Sequence, residues 1–181
     1  MNIVITGFMA SGKTEISKQL HKLSGYSLVD TDELIVKKTG MSINEIFEKK
    51  GEEAFREIEH NVISEVSKRD NTIISTGGGV PLNEINMDEL RKNGIIVNLA
   101  PDFDVIKQRL TNARSTRPLL KNSSLEEIEN RFNYRLPYYE KCDIKINVSN
   151  EKSPKYFANQ ILEAINSFNC EWVKFELQTI Y

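Results

Sequence analysis

A short loop of glycines and small residues offers the clearest chemistry in the sequence. Residues 7–14 read GFMASGKT, which matches the pattern G-x-x-x-x-G-K-[ST] in full. The glycines of this pattern permit a tight turn, so that successive backbone N–H groups can face the phosphates of a nucleotide. The Lys13 ammonium would reach the β- and γ-phosphates, the Thr14 hydroxyl would bind Mg²⁺, and the following helix would add the positive end of its dipole. The loop therefore predicts nucleotide binding.

The phosphate loop does not identify the group that receives the phosphate, because hydrolysing switches, motors and small-molecule kinases all carry it. A pair of carboxylates, Asp30 and Asp32, ends the second apolar run of the chain. One of them can face a metal while the other faces a substrate hydroxyl. The alternative is a structural role, in which Thr31 or Asp32 caps the N-terminus of a helix.

Two further segments could contact a substrate. Arg56 lies beside the apolar face of a predicted helix, with Glu59 one turn away as an orienting partner. The alternative for this pair is a solvated ion pair. Gly77–Gly79 follow the third apolar run, and three glycines let a ligand approach the backbone closely. A plain turn rarely needs three, so we favour a ligand role for them.

Two arginines later in the chain are candidates for binding phosphate or carboxylate. Arg117 lies in the polar stretch 111–124, and Arg135 lies in a segment with helical spacing. A guanidinium group binds such anions through two parallel hydrogen bonds. The alternative for either arginine is an ordinary surface position. The length and basic polarity of residues 111–124 predict a mobile lid over a site.

The elements that would position these residues alternate along the chain. Short apolar runs are separated by longer polar segments with helical spacing, which predicts a parallel sheet covered by helices on both faces. Residues 1–181 show no internal repeat or linker and fit one domain. Polar and apolar residues alternate along the tail 170–181 as in a strand, which predicts an edge strand or a packed terminus. The five predicted strands are Ile3–Thr6, Ser27–Asp30, Thr72–Ser75, Ile95–Leu99 and Ile144–Val148.

Composition excludes several classes of protein. Apolar residues make up 39% and charged residues 28% of the chain, as is typical of globular proteins. The net charge of −2 argues against a nucleic-acid or anionic-membrane partner. Two distant cysteines, Cys142 and Cys170, fit a reducing cytosol better than a disulfide framework. No run approaches the roughly 18 apolar residues of a membrane span, so we expect a cytoplasmic protein.

Taken in order, the motifs resemble those of the shikimate kinase family over about residues 1–168. The resemblance implies a fold like that of nucleoside monophosphate kinases: a five-stranded parallel sheet in the order 2-3-1-4-5, flanked by helices, with a mobile lid. It also implies transfer of the γ-phosphate of ATP to the 3-hydroxyl of shikimate, giving shikimate 3-phosphate and ADP on the route to chorismate and the aromatic amino acids. The six motifs that carry it are the phosphate loop, Asp30-x-Asp32, Phe55-Arg56-x-x-Glu59, Gly77–Gly79, Arg117-Pro-Leu-Leu and Arg135-x-Pro-x-Tyr139.

The resemblance also implies roles for individual residues. Asp32, Arg56, Gly78, Gly79 and Arg135 would bind shikimate within and around a substrate segment at about residues 32–60, with Asp32 as the candidate base. Thr14 and Asp30 would hold one Mg²⁺. Lys13, Asp32 and Arg117 would be the catalytic residues, and Arg117 would come down with the lid. The residues that would contact ATP are Ala10, Ser11, Gly12, Lys13, Thr14, Glu15, Arg117 and Lys152.

Two departures and two competing functions remain at this point. Ala10 stands where the family usually has glycine. An alanine costs about 1–2 kcal/mol of stability there if this position has a positive φ. The tail has no counterpart in the family. One rival is another small-molecule kinase, such as one for gluconate, and the other is a regulatory nucleotide-binding module without catalysis. We expect ATP and shikimate as small-molecule partners, no nucleic-acid or membrane partner, and a monomer.

Overall fold

A computed structural model of the chain describes residues 1–113 and 124–179. Strands and helices alternate through most of the described chain, as the pattern predicted. Their bounds are β1 Asn2–Gly7, α1 Lys13–Ser24, β2 Ser27–Asp30, α2 Thr31–Thr39, α3 Ile43–Val66, β3 Thr72–Ser75, α4 Glu84–Arg91, β4 Gly94–Pro101, α5 Phe103–Ala113, α6 Leu125–Tyr139, β5 Ile144–Val148 and α7 Pro154–Thr179, with a short 3₁₀ turn at Val80–Leu82.

The five strands form one parallel sheet in the order β2-β3-β1-β4-β5, which confirms the predicted fold class. In the register of the sheet, Val4 of β1 lies between Ile74 of β3 and Ile96 of β4. Because all strands are parallel, their carboxyl ends meet at one edge of the sheet. The segments after β1, β2 and β3, which carry most of the predicted site, therefore lie side by side there.

Helices cover both faces of the sheet. Ile3 and Ile5 of β1 point into a core shared with α1 and α7, whereas Val4 points into a second core with α3 and α4. This alternation follows from the two-residue period of a strand, and both faces are apolar because both are covered. Within the described residues, no helix is long and apolar enough to cross a membrane.

A third apolar cluster lies above the sheet and joins the phosphate loop to α5 and α6. We call it the bridging cluster. In it, the ring of Phe8 packs edge-on against the ring of Phe132, with 5.3 Å between the ring centroids. Because the cluster includes residues of the loop and of both helices, it fixes their relative positions. Its buried members are Phe8, Ile106, Leu110, Ile128 and Tyr139.

Two sequence predictions need correction or fall outside the structure. The tail does not form a strand, because α7 continues as a helix to Thr179. Residues 114–123, which include Arg117 and most of the predicted lid, lie outside the described residues. The ends of the predicted lid lie within the described residues: Thr111 belongs to α5, and the Ser124 side chain caps α6.

Candidate active site

The phosphate loop connects β1 to α1, as the motif requires. Gly7 has φ 149° and packs so closely that a Cβ there would lie 2.8 Å from the Leu99 carbonyl oxygen. Gly12, at the start of α1, has φ 100° and likewise favours glycine. The Lys13 ammonium donates hydrogen bonds to the carbonyls of Gly7 and Phe8 at 2.6 and 3.0 Å. The ammonium group is therefore held across the mouth of the loop.

Ala10 has φ 58°, so the departure noted in the sequence falls on a left-handed residue. A Cβ in this conformation approaches the following carbonyl oxygen and costs about 1–2 kcal/mol. The Ala10 carbonyl accepts a hydrogen bond of 3.0 Å from Nη1 of Arg109. This contact from α5 helps to hold the loop in its strained conformation.

A cleft of about 450 Å³ opens beside the phosphate loop, a volume in the usual range for small-molecule sites. Most of the residues predicted to contact ATP line it, namely Ala10, Gly12, Lys13, Thr14, Glu15 and Lys152. Ser11 is fully buried beneath the loop. Arg117 lies outside the described residues.

Arg109 lines the same cleft, and sequence reasoning missed it. Its Nε donates to Asn150 Oδ1 at 2.8 Å, and its Nη2 donates to the Ser149 carbonyl at 3.2 Å. These contacts, with the one to the Ala10 carbonyl, spread the guanidinium plane between the phosphate loop and the loop after β5. A guanidinium plane is a suitable surface for stacking a purine base. No motif marks this arginine, because its position depends on how α5 packs.

Asp30 is the N-cap of α2, whereas the structural alternative considered from the sequence placed the cap at Thr31 or Asp32. Its Oδ1 accepts hydrogen bonds from the backbone N–H groups of Asp32 and Glu33, and its Oδ2 accepts one from the Ser75 hydroxyl. That alternative is wrong by one or two residues, because the side chain of Asp30 is itself a strong capping group. The Asp32 carboxyl group is therefore free of capping and lies against the glycine turn.

The glycine turn, residues Gly77–Gly79, leaves room for the side chains around it. A Cβ on Gly77 would lie 2.5 Å from Asp32 Oδ1, and one on Gly79 would lie 2.7 Å from Nη1 of Arg56. The turn is held by the Gly77 N–H, which donates to the Thr31 hydroxyl at 2.9 Å. The absence of a Cβ at these glycines thus lets a carboxylate and a guanidinium group lie directly against the backbone.

Arg56 projects from α3 between two glutamates. Its Nη1 donates to Glu59 Oε2 at 2.9 Å, and Glu59 is only 2% exposed, which does not fit a solvated ion pair. Its Nη2 donates to Glu52 Oε1 at 3.2 Å, and Glu52 is 69% exposed. Glu59 therefore orients Arg56 from the interior, as expected, whereas Glu52 contacts the arginine from the solvent side. The helix is kinked just before Glu52, at Gly51 with φ 84°.

Arg135 reaches the glycine turn from α6, whereas Arg56 reaches it from α3. Its Nη1 donates to the Gly78 carbonyl at 3.2 Å. Two guanidinium groups from separate helices thus lie against one turn, which the Asp32 carboxyl group also contacts. Forks arranged in this way can bind a carboxylate, and the carboxylate of Asp32 can accept a hydrogen bond from a hydroxyl of the same small molecule.

The electrostatics of the site follow from burial and from neighbouring charges. Burial lowers the pKa of Lys13 to about 8, although Asp32 and Asp30 oppose this shift. Burial, with a contribution from Asp30, raises the pKa of Asp32, while Lys13 and Arg56 oppose that rise. Burial likewise raises the pKa of Glu59. These shifts follow from the burial of the charged groups in one poorly hydrated crevice.

The structure thus gathers the predicted residues into two adjoining regions. A nucleotide-sized cleft lies beside the phosphate loop, and the glycine turn with its two arginines lies beyond Lys13. The charges of Asp32 and Arg135 both act on the pKa of Lys13, so its ammonium group lies near both regions. This arrangement can hold a phosphate donor and a small carboxylate acceptor together.

Comparison with known proteins agrees with this geometry. A family model described as shikimate kinase matches residues 9–166. The chain belongs to the shikimate kinase family. Shikimate kinase from Caldicellulosiruptor bescii is 46% identical over 162 residues, which cover 89% of this chain and 93% of that protein.

Solved structures with this fold lie both within the family and outside it. Shikimate kinase from Acinetobacter baumannii in complex with shikimate is 33% identical, covers 92% of this chain and 93% of its own, and superposes with a TM-score of 0.83. A gluconokinase from Sinorhizobium meliloti covers 97% of this chain and 96% of its own, with a TM-score of 0.67 at 15% identity. The second likeness concerns the fold alone.

Proposed function

We propose that this member of the shikimate kinase family transfers the γ-phosphate of ATP to the 3-hydroxyl of shikimate through the residues gathered here, giving shikimate 3-phosphate and ADP. The observation that carries this assignment is the glycine turn, where Arg56, Arg135 and Asp32 converge next to the ammonium group of Lys13. A carboxylate with neighbouring hydroxyls fits two guanidinium forks and a carboxylate acceptor. The product belongs to the route to chorismate and the aromatic amino acids.

The nucleotide would occupy the 450 Å³ cleft. Its phosphates would lie against the backbone N–H groups of the loop and the N-terminus of α1, with Lys13 at the β- and γ-phosphates. The base would lie against Arg109 and the loop after β5, where Lys152 also lines the cleft. These groups stabilise the charge that spreads over the γ-phosphoryl group during transfer.

The 3-hydroxyl of shikimate would face Asp32. As the oxygen attacks the γ-phosphorus, its proton passes to the Asp32 carboxylate, while the bond from the γ-phosphorus to the bridging oxygen breaks and ADP leaves. A raised pKa suits Asp32 to this role, because a stronger base accepts the proton more readily near neutral pH. Arg56 and Arg135 would hold the substrate carboxylate, with Gly78 and Gly79 contacting the ring through the backbone.

The oxygen atoms at this site suit one Mg²⁺ ion. Thr14 lines the nucleotide cleft, and Asp30 ends β2, which β3 separates from β1 in the sheet. The Asp30 carboxylate already accepts three hydrogen bonds out of about four acceptor positions, which supports an indirect role through water. Among the described residues no group of three or more His, Cys, Asp or Glu side chains forms a metal site, so phosphate oxygens would supply the remaining ligands. When bound, Mg²⁺ would be held by Thr14 and, through water, by Asp30, and it would neutralise negative charge during transfer.

The remaining assignments rest on the family resemblance. Arg117 would close onto the phosphates with the lid at residues 111–124 and exclude water from the reaction. The chain would act as a single domain over residues 1–181, as a monomer in the cytoplasm, with no nucleic-acid or membrane partner. Its net charge of −2 agrees with this last expectation.

A coupled assay of ADP release tests the proposed function. ATP turnover should require shikimate, and gluconate at the same concentration should give little or none. Turnover with gluconate but not with shikimate would favour the rival kinase. Tight ATP binding without turnover on either acid would favour a regulatory module. A phosphorus NMR spectrum of the product should place the new ester on the 3-oxygen.

A further inference from the structure

Tyr139, the last residue of α6, contacts the glycine turn directly. Its hydroxyl donates a hydrogen bond of 2.6 Å to the Gly78 carbonyl, which also accepts the 3.2 Å bond from Nη1 of Arg135. The side chain is only 3% exposed. We propose that Tyr139 is a positioning residue for the acceptor, because its hydroxyl fixes the peptide unit between Gly78 and Gly79 and the orientation of Arg135. This inference rests on the proposed function of the glycine turn.

The peptide unit explains how a buried hydroxyl can act on a ligand that it does not touch. The carbonyl of Gly78 and the N–H of Gly79 belong to the same planar trans unit and point in opposite directions. An anchor on the carbonyl therefore fixes the direction of the Gly79 N–H. Because glycine flanks this unit on both sides, few steric barriers oppose its rotation. Among residues 1–113 and 124–179, the N–H groups of Gly78 and Gly79 make no hydrogen bond that would hold the unit instead.

The shared carbonyl also affects Arg135. A carbonyl oxygen has two lone pairs, and here Tyr139 and Arg135 each take one. One N–H of the Arg135 guanidinium group donates to this carbonyl, which leaves the remaining N–H groups on its other nitrogens for a carboxylate. Without the hydroxyl, the Gly78 carbonyl would depend on Arg135 alone, and the arginine would be drawn toward the backbone.

The surroundings of Tyr139 make it a rigid anchor. Its ring belongs to the bridging cluster with Phe8 of the phosphate loop and Ile106 and Leu110 of α5. Burial raises the pKa of Tyr139, so the hydroxyl stays protonated and able to donate throughout the neutral range. The ring and the hydroxyl therefore have separable tasks: the ring packs between the two substrate regions, and the hydroxyl orients one of them.

The variant Tyr139→Phe separates these tasks, because it keeps the ring and removes only the hydroxyl. Tyr134→Phe is the matched control, since Tyr134 lies on the same helix and is 63% exposed. We would titrate shikimate and ATP separately into the unaltered protein and both variants and measure each melting temperature. In Tyr139→Phe the Kd for shikimate should rise roughly two- to tenfold, the range expected for one lost hydrogen bond, while the Kd for ATP changes less than twofold. Tyr134→Phe should change neither Kd.

The possible results are distinguishable. If Tyr139→Phe melts at a lower temperature but binds shikimate as tightly as the unaltered protein, the hydroxyl has only a structural role and the inference is wrong. Equal weakening of shikimate and ATP would also overturn it, because the effect would then be general. If shikimate does not bind the unaltered protein at all, the proposed function fails, and this inference fails with it.

Discussion

Replacing Ala10 with glycine should stabilise the protein, against the usual effect of introducing glycine. Ala10 has φ 58°, a conformation that costs an L-residue about 1–2 kcal/mol and that glycine adopts without strain. Relief of this strain is offset by about 0.4–1 kcal/mol, because glycine gives the unfolded chain more conformational freedom. The Ala10 methyl group also packs against the bridging cluster, and losing this contact reduces the gain slightly. The net stabilisation should be about 0.5 kcal/mol, which raises Tm by about 1–2 °C for a chain of this size.

Differential scanning calorimetry of the unaltered protein and Ala10→Gly would measure this shift. Asn71→Gly is the matched control, because Asn71 also has a positive φ of 49° but asparagine tolerates it well. Its Tm should change less than that of Ala10→Gly. The Kd for ATP should stay within about twofold, since the carbonyl that Arg109 contacts is retained. A Tm that falls, or that rises equally in both variants, would refute the strain at Ala10.

Three further changes test the site. Lys13→Ala should lower kcat by orders of magnitude. In the unaltered protein, the affinity for ATP should fall as pH rises above about 8, where Lys13 loses its proton; an affinity that does not change between pH 7.5 and 9.5 would contradict this. Arg135→Lys should weaken the binding of shikimate by about 1.5–3 kcal/mol but hardly affect the binding of an analogue whose carboxylate is reduced to an alcohol. Both ligands are titrated into both proteins, and equal weakening of the two ligands would show that Arg135 does not bind the carboxylate. Glu52→Gln should tighten the binding of shikimate by up to about fivefold, because it frees Arg56 from its ion pair, whereas Glu53→Gln at the neighbouring position should not. Equal affinities in the two variants would exclude competition between Glu52 and the substrate carboxylate for Arg56.

The strands show how far local patterns determine this fold. β2, β3 and β5 begin and end where the apolar runs do. β1 and β4 are longer than predicted, because pairing in the sheet extends to Gly7, Gly94 and Pro101, which an apolar pattern does not mark. The order of the strands came from the family resemblance, since strand spacing alone does not determine which strands pair.

The tail shows the limit of a short pattern. Alternation over residues 170–181 suggested a strand, yet α7 continues to Thr179. Phe168, Trp172 and Phe175 also follow the i, i+4, i+7 spacing of a helix, so the same residues satisfy both periods. Continuation of an existing helix decides between them, because adding a residue to a helix is easier than starting a new element.

The site was predictable where motifs exist and hidden where packing decides. The phosphate loop, Arg56 with Glu59 and the glycine turn could be identified from residue types and spacing. Arg109 could not, because it reaches the cleft only through the packing of α5 on the phosphate loop. The role of Tyr139 was hidden for the same reason: its hydroxyl meets a carbonyl that lies 61 positions away in the sequence.

The most direct test of the account is the kcat of Asp32→Asn set against its melting temperature. Asparagine keeps the shape of the side chain but cannot take the proton of the acceptor hydroxyl, so kcat should fall by roughly 10²–10⁴-fold. Since burial and Asp30 raise the pKa of Asp32, its ionised form is unfavourable in the folded protein, and Tm should stay the same or rise. Glu33→Gln, an exposed neighbour on α2, should change neither value. An Asp32→Asn variant that binds both substrates and turns over at nearly the normal rate would contradict the central claim that Asp32 serves as the base.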